Sequence, residues 1–122
     1  MLARQFNLKG KDNFENVEKK GKIYQSESFG LAYIKREDNE GSKFGFVISK
    51  KISGEAIHRN RIKRAMAESV RFSLTDIKNG YNFVFLAKQA CIRKSTDEIM
   101  KEVRNSLEKA GFIKIIKNEK NY

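Results

Sequence analysis

Cys91 is the only cysteine in 122 residues, so the chain can close no internal disulfide and suits a reducing compartment. It has no cysteine or histidine companions at metal-ligand spacing, and a lone thiol is read as a packing residue. Histidine is as scarce: His58 stands alone, which excludes a histidine acid–base pair. No window approaches the roughly 20 apolar residues that span a bilayer. The opening Met1-Leu2-Ala3-Arg4-Gln5-Phe6 lacks the apolar run of a secretory signal. The expected location is the cytoplasm, with no membrane attachment. Gly41, Gly45 and Gly54 are too far apart to form a glycine-rich phosphate loop. Acidic residues are scattered rather than clustered, so the chain lacks the carboxylate nest of a metal-dependent nuclease. Internal repeats, low-complexity blocks and linkers are also missing, and the length fits one domain.

Positive charge and aromatic rings are what the chain has in quantity. Lys and Arg number 26 against 15 Asp and Glu, a net +11. Such an excess repels itself in a folded chain, so an anionic partner explains it better than stability does. Nucleic acid is the first candidate and an anionic membrane surface the second. Nine Phe and four Tyr within 39% hydrophobic residues supply one modest core, more than a disordered chain would carry.

The pattern along the chain predicts the order α-β-β-α-β-α. A short helix is expected over 12–20, capped by Asp12, with Phe14 and Val17 on one face and Gly21 at its end. Strands are expected over 28–34 and 43–49, antiparallel to each other and joined by a charged turn over 35–42. A loop over 50–55 leads to the clearest helix, 57–72, where Ile62, Met66 and Val70 recur every four residues. After the Asn79-Gly80 turn, the nearly continuous apolar run 81–87 belongs in the sheet centre. Ser95-Thr96-Asp97-Glu98 is a capping box opening a last helix that turns Ile99, Val103 and Leu107 inward and ends at Gly111. An edge segment is expected over 112–116. The fold class is α/β in the broad sense, an α+β two-layer domain spanning 1–122, with an ordered core near 8–116 and a frayed basic tail over 117–122.

Between positions 43 and 64 the chain places seven basic residues (Lys43, Lys50, Lys51, Arg59, Arg61, Lys63 and Arg64) against one acidic residue, Glu55. That local +6 is more than half of the whole excess. Its densest part, His58 to Arg64, falls at a helix start, where cations oppose the helix dipole. Local rules are broken in this way where a site requires it. Exposed N–H groups and guanidinium forks together make a phosphate receptor. Arg59 aligns with Lys63 and Asn60 with Arg64, while Ile62 points to the core and Arg71 continues the Arg64 row.

Phe44-Gly45-Phe46-Val47-Ile48-Ser49-Lys50-Lys51 followed by Arg59-Asn60-Arg61-Ile62-Lys63-Arg64 resembles the signature of the bacterial ribonuclease P protein family. Leu8, Asp12-Asn13-Phe14, Gly21, Phe29 and Ala87-Lys88 extend the likeness over roughly 8–111. The resemblance implies a ribosomal-protein-like domain with a left-handed crossover between two parallel strands, against the usual right-handed rule. It implies a non-catalytic subunit of an endoribonuclease, with the active site on a catalytic RNA that trims precursor tRNA to its mature 5′ end. By the same likeness, Lys50, Lys51, Arg59, Asn60, Arg61, Lys63, Arg64 and Arg71 contact RNA. Phe14, Phe46 and Ser49, with Lys50 close by, line a cleft for the single-stranded 5′ leader. Mg²⁺ is expected with the RNA rather than on the protein, and one protein copy per RNA.

A basic track with aromatic platforms is what an unpaired strand requires. Ordinary core packing is the competing reading of Phe14 and Phe46, and alternation leaves open which face of 44–49 meets the cleft. Three positions depart from the family pattern: Glu18 and Ala32 stand where aromatics are common, and Lys88-Gln89 where arginine-lysine is. A ribosomal-type RNA binder and a stand-alone nuclease are the rival functions, the second weakened by the missing site chemistry.

Overall fold

The computed structural model describes residues 2–113. Its first helix, α1, runs Lys11–Lys20 and is entered through Gly10, whose φ of 93° suits glycine. Asp12 is therefore not the cap, as expected from sequence; it lies in the first turn, where its charge still favours the helix dipole. Four strands follow as β1 (Lys22–Gln25), β2 (Phe29–Lys35), β3 (Lys43–Val47) and, after α2 (Ala56–Ser73), β4 (Tyr81–Ala87). The last helix, α3, spans Thr96–Lys109.

Strand β1 was not expected. Lys22-Ile23-Tyr24-Gln25 is short and mostly exposed, and its strand character comes from antiparallel pairing with β2. The sheet order is β1-β2-β4-β3. β4 sits between β2, to which it is antiparallel, and β3, to which it is parallel. The expected pairing of β2 with β3 is thus corrected: they run in opposite directions, with β4 between them. The apolar run of β4 does occupy the centre, and β3, α2 and β4 form a β-α-β unit.

Alternation along β4 divides the core. Phe83 and Phe85 point to one face, where Phe29, Leu31 and Phe44 meet Ile62, Met66 and Val70 of α2 and Ile99, Val103 and Leu107 of α3. Val84 and Ala32 point to the other, where they meet Val17 of α1 and Leu8. The expectation of one sheet packed by helices holds, with α1 covering the face opposite α2 and α3. Packing begins at Leu2, which is buried in the larger cluster, earlier than residue 8.

Two polar clasps fix the loops. Glu102 on α3 accepts hydrogen bonds from Ser26 Oγ, Ser28 N (2.7 Å) and Ser28 Oγ (2.7 Å), tying α3 to the β1–β2 turn. Arg36 donates to Tyr81 O, Asn82 Oδ1, Asp38, Glu40 O and Gly41 O, which organises the charged turn before β3. The capping box forms as read: Ser95 Oγ accepts from Glu98 N while Glu98 Oε1 accepts from Ser95 N. Ile113 bridges Ile77, while the rest of the expected edge segment and the tail lie outside the described residues.

Candidate nucleic-acid interface

β3 is an edge strand, and the chain's first residues cross its free side. Asn7 forms a parallel bridge with Phe44, and Leu8 N–H donates to Phe44 O at 2.8 Å. Beside this crossing, α1 lays the Phe14 ring over Gly45. A Cβ at Gly45 would stand 2.4 Å from Phe14 Cε2, so only glycine admits the ring there. Between this wall and α2 lies a groove of about 460 Å³ lined by Leu8, Phe14, Phe44, Phe46, Asn60, Lys63 and Arg64 among others.

The floor is a braced aromatic stack. Phe44 stacks on Phe83 at 5.1 Å and 8°, and Phe46 on Phe85 at 5.5 Å and 14°. Phe44 is buried, whereas Phe46 and Phe14 are half-buried. Both readings of Phe14 and Phe46 therefore apply at once: they pack against the core and present part of a ring to the groove. Phe44 and Phe46 share the α2 face of the sheet, which answers the question alternation left open.

The rim is cationic. The side chains of Asn60, Lys63 and Arg64 are exposed and make no hydrogen bond or ion pair with the described residues. The first turn of α2 carries no acidic residue, and Glu55 at its N-cap makes no capping bond. The helix start adds its own partial positive charge, offset in part by the Glu55 carboxylate, which lies 3.0 Å from His58 Nε2.

The remaining residues singled out from sequence fall elsewhere. Arg59 Nη1 donates to Ser53 O at 2.8 Å and holds the loop before α2. Arg61 reaches the far side, donating to Lys94 O at 3.1 Å and Ile92 O at 3.3 Å, which tethers α2 to the segment leading into α3. Arg71 pairs with Glu68 at 2.7 Å and lies over the exposed Phe72 ring, 4.6 Å from its centroid. Its hydrogen bond holds the Glu68 carboxyl well below its ordinary range. Ser49, Lys50 and Lys51 are exposed in the turn after β3, outside the groove lining. Lys88 Nζ donates to Ser26 O and Gln89 Nε2 to Lys51 O, each at 2.7 Å, so the departure from the family pattern at Lys88-Gln89 steadies neighbouring turns.

Sequence reasoning did not find Leu2, Asn7 and Ala67 as groove residues. Asn7 carries no local signal, because it enters the wall only through the bridge to a strand nearly forty residues away. Cys91 is buried, and burial pushes its thiol up to about 11, so it stays protonated at neutral pH. Among the described residues no three His, Cys, Asp or Glu side chains gather into a donor set for a metal ion. Among them, too, no helix is long and apolar enough to cross a membrane.

Comparison with known proteins bears on this geometry. The family model described as Ribonuclease P matches residues 2–111. A ribonuclease P protein component from Bacillus cereus (strain Q1) is 29% identical over 116 residues, covering 95% of this chain and all of the relative. The solved RNase P protein from Staphylococcus aureus superposes with a TM-score of 0.78 at 25% identity, over 94% of this chain and 98% of that one. The RNase P protein from Thermotoga maritima gives 0.75 at 25% identity, over 84% and 96%.

Proposed function

This chain belongs to the ribonuclease P protein family, and from that premise we propose that its groove holds the single-stranded 5′ leader of precursor tRNA while α2 meets a catalytic RNA. It is the protein component of ribonuclease P, which acts in tRNA 5′ processing. The observation that carries the leader reading is the pairing of a braced aromatic floor with the unpartnered Asn60, Lys63 and Arg64. Bases stack on half-exposed rings whatever their sequence, and cations along the rim take the phosphates. The Phe46 ring is held by Phe85, so little side-chain entropy is lost when a base arrives.

The chemistry of bond cleavage is assigned to the RNA partner. Among the described residues the carboxylates form no cluster for a metal ion, and Mg²⁺ is assigned to the phosphates of the RNA. Lys50, Lys51 and the exposed start of α2 form the surface offered to the catalytic RNA. Arg59 and Arg61 act there by fixing the loop before α2 and the approach to α3. One protein per RNA and a cytoplasmic site complete the reading.

The test is cleavage of a precursor tRNA at low Mg²⁺ with protein alone, ribonuclease P RNA alone, and both. Activity that rises sharply only with both supports the cofactor role. Cleavage by the protein alone overturns the assignment of catalysis to RNA, and an unchanged RNA activity favours a ribosomal-type binder.

A further inference from the structure

The groove does not end at Asn7 and Leu8. These two residues also line a second depression of about 460 Å³ on the far side of the N-terminal crossing, at the start of β3. Its rim carries Arg4, Lys9 and Lys43, all exposed, none with a hydrogen bond or ion pair from its side chain to the described residues. Arg36, Asp38 and Glu40 are the other charged groups there. Asp38 is matched by Arg36 at 2.7 Å, and the Arg36 hydrogen bond keeps its carboxyl low. Glu40 is then the one unmatched anion among the described residues of this rim, against three cations without an ion pair, of which Lys43 also lies within the field of Asp38.

Resting on the leader reading above, we infer that this second depression is a phosphate-binding extension of the leader track, so that a longer single strand leaves the aromatic groove, crosses Asn7 and Leu8, and ends among Arg4, Lys9 and Lys43. The two halves differ in chemistry. The first has rings and cations and takes bases as well as phosphates. The second lacks an aromatic side chain and attracts the backbone alone, so it adds affinity without sequence preference. Three phosphate contacts on a single strand steepen the log–log salt dependence by roughly 2, at about 0.7 per contact.

The experiment uses the full chain assembled with ribonuclease P RNA and measures affinity for precursor tRNAs of graded leader length at several salt concentrations. Two variants are compared: Arg4→Ala/Lys9→Ala/Lys43→Ala, and Lys63→Ala/Arg64→Ala. The triple variant is expected to bind short-leader and leaderless substrates as the parent does. With long leaders it is expected to lose at least tenfold in affinity, with a salt slope shallower by about 2. The double variant is expected to weaken binding at every leader length that reaches the groove. A triple variant that matches the parent at all lengths, while the double variant weakens, overturns the extension and leaves the groove reading standing. A double variant without effect overturns the groove reading itself. Equal loss by the triple variant with and without a leader assigns the patch to the catalytic RNA and overturns its role in leader binding.

Discussion

Arg61 and Arg64 sit three residues apart on one helix, yet their replacement by alanine is expected to do opposite things. Arg61 spends its guanidinium on two carbonyls of the approach to α3, at 3.1 and 3.3 Å. A hydrogen bond from a charged donor contributes about 1.5–3 kcal/mol when well formed. The second bond is long and the side chain only half-buried, so the pair together is worth roughly 1–3 kcal/mol. For a domain of this size each kcal/mol moves the melting temperature by about 4 °C, so Arg61→Ala is expected to melt roughly 4–12 °C lower. Arg61→Lys keeps the charge but lacks the planar fork that sets Nη1 and Nη2 on separate carbonyls, and it is expected to fall nearly as far. Arg64→Ala should melt with the parent and instead lower RNA affinity, with the salt slope reduced by about 0.7–0.9 for one lost phosphate contact. Thermal melts followed by circular dichroism, beside binding titrations at several salt concentrations, separate the two. An Arg61→Ala protein that melts within about 1 °C of the parent while losing as much RNA affinity as Arg64→Ala refutes the tether.

Gly45→Ala brings a methyl against the Phe14 ring, which must swing away. Leader affinity is expected to drop several-fold with little loss of helix content, measured by binding of long- and short-leader substrates. Glu102 is held below its ordinary range: burial pushes it up, but the hydrogen bonds from Ser26 and Ser28 outweigh that. Its stabilisation is therefore complete above the unfolded carboxyl value of about 4.3 and is lost as pH falls through the lower folded value. Urea midpoints measured from neutral pH downward should fall below about pH 5 in the parent, and more shallowly there in Glu102→Gln. At neutral pH that variant should already be less stable by about 1–3 kcal/mol, because its amide cannot accept all three bonds. Ser95→Ala removes the hydroxyl half of the capping box, leaving Glu98 to accept from the backbone N–H of residue 95, and is expected to cost about 1 kcal/mol in urea denaturation without changing RNA affinity.

How much of this was legible in the sequence depended on whether the cause was local. The capping box at Ser95, the four-residue spacing of Ile62, Met66 and Val70, and the apolar run of β4 are local causes, and each gave its element in the right place. β1 was missed because Lys22-Ile23-Tyr24-Gln25 carries no burial pattern of its own; β2 makes it a strand. The cap of α1 was misplaced by two residues, and its start by one, because Asp12 is a good cap by type, whereas Gly10 turns the chain first. At the site, the basic cluster was visible but its division was not. Arg61 reaches carbonyls more than thirty residues ahead while Arg64 faces the groove, and helical spacing alone does not tell an inward tether from an outward contact. The N-terminal wall and the second depression were hidden for the same reason, since Asn7 meets Phe44 only in the fold.

The place of β4 has a consequence for how the chain is made. Synthesis delivers β1, β2, β3 and α2 first, yet β2 and β3 share no ladder and wait for a strand that begins at Tyr81. Until then only the β1–β2 hairpin can close, and a lone hairpin is marginal in water. Phe29, Leu31, Phe44 and Phe46 remain uncovered over that interval, on a nascent chain that is already strongly basic. Folding is therefore late and nearly all at once, and the growing chain passes through its most adhesive state just before β4 is synthesised.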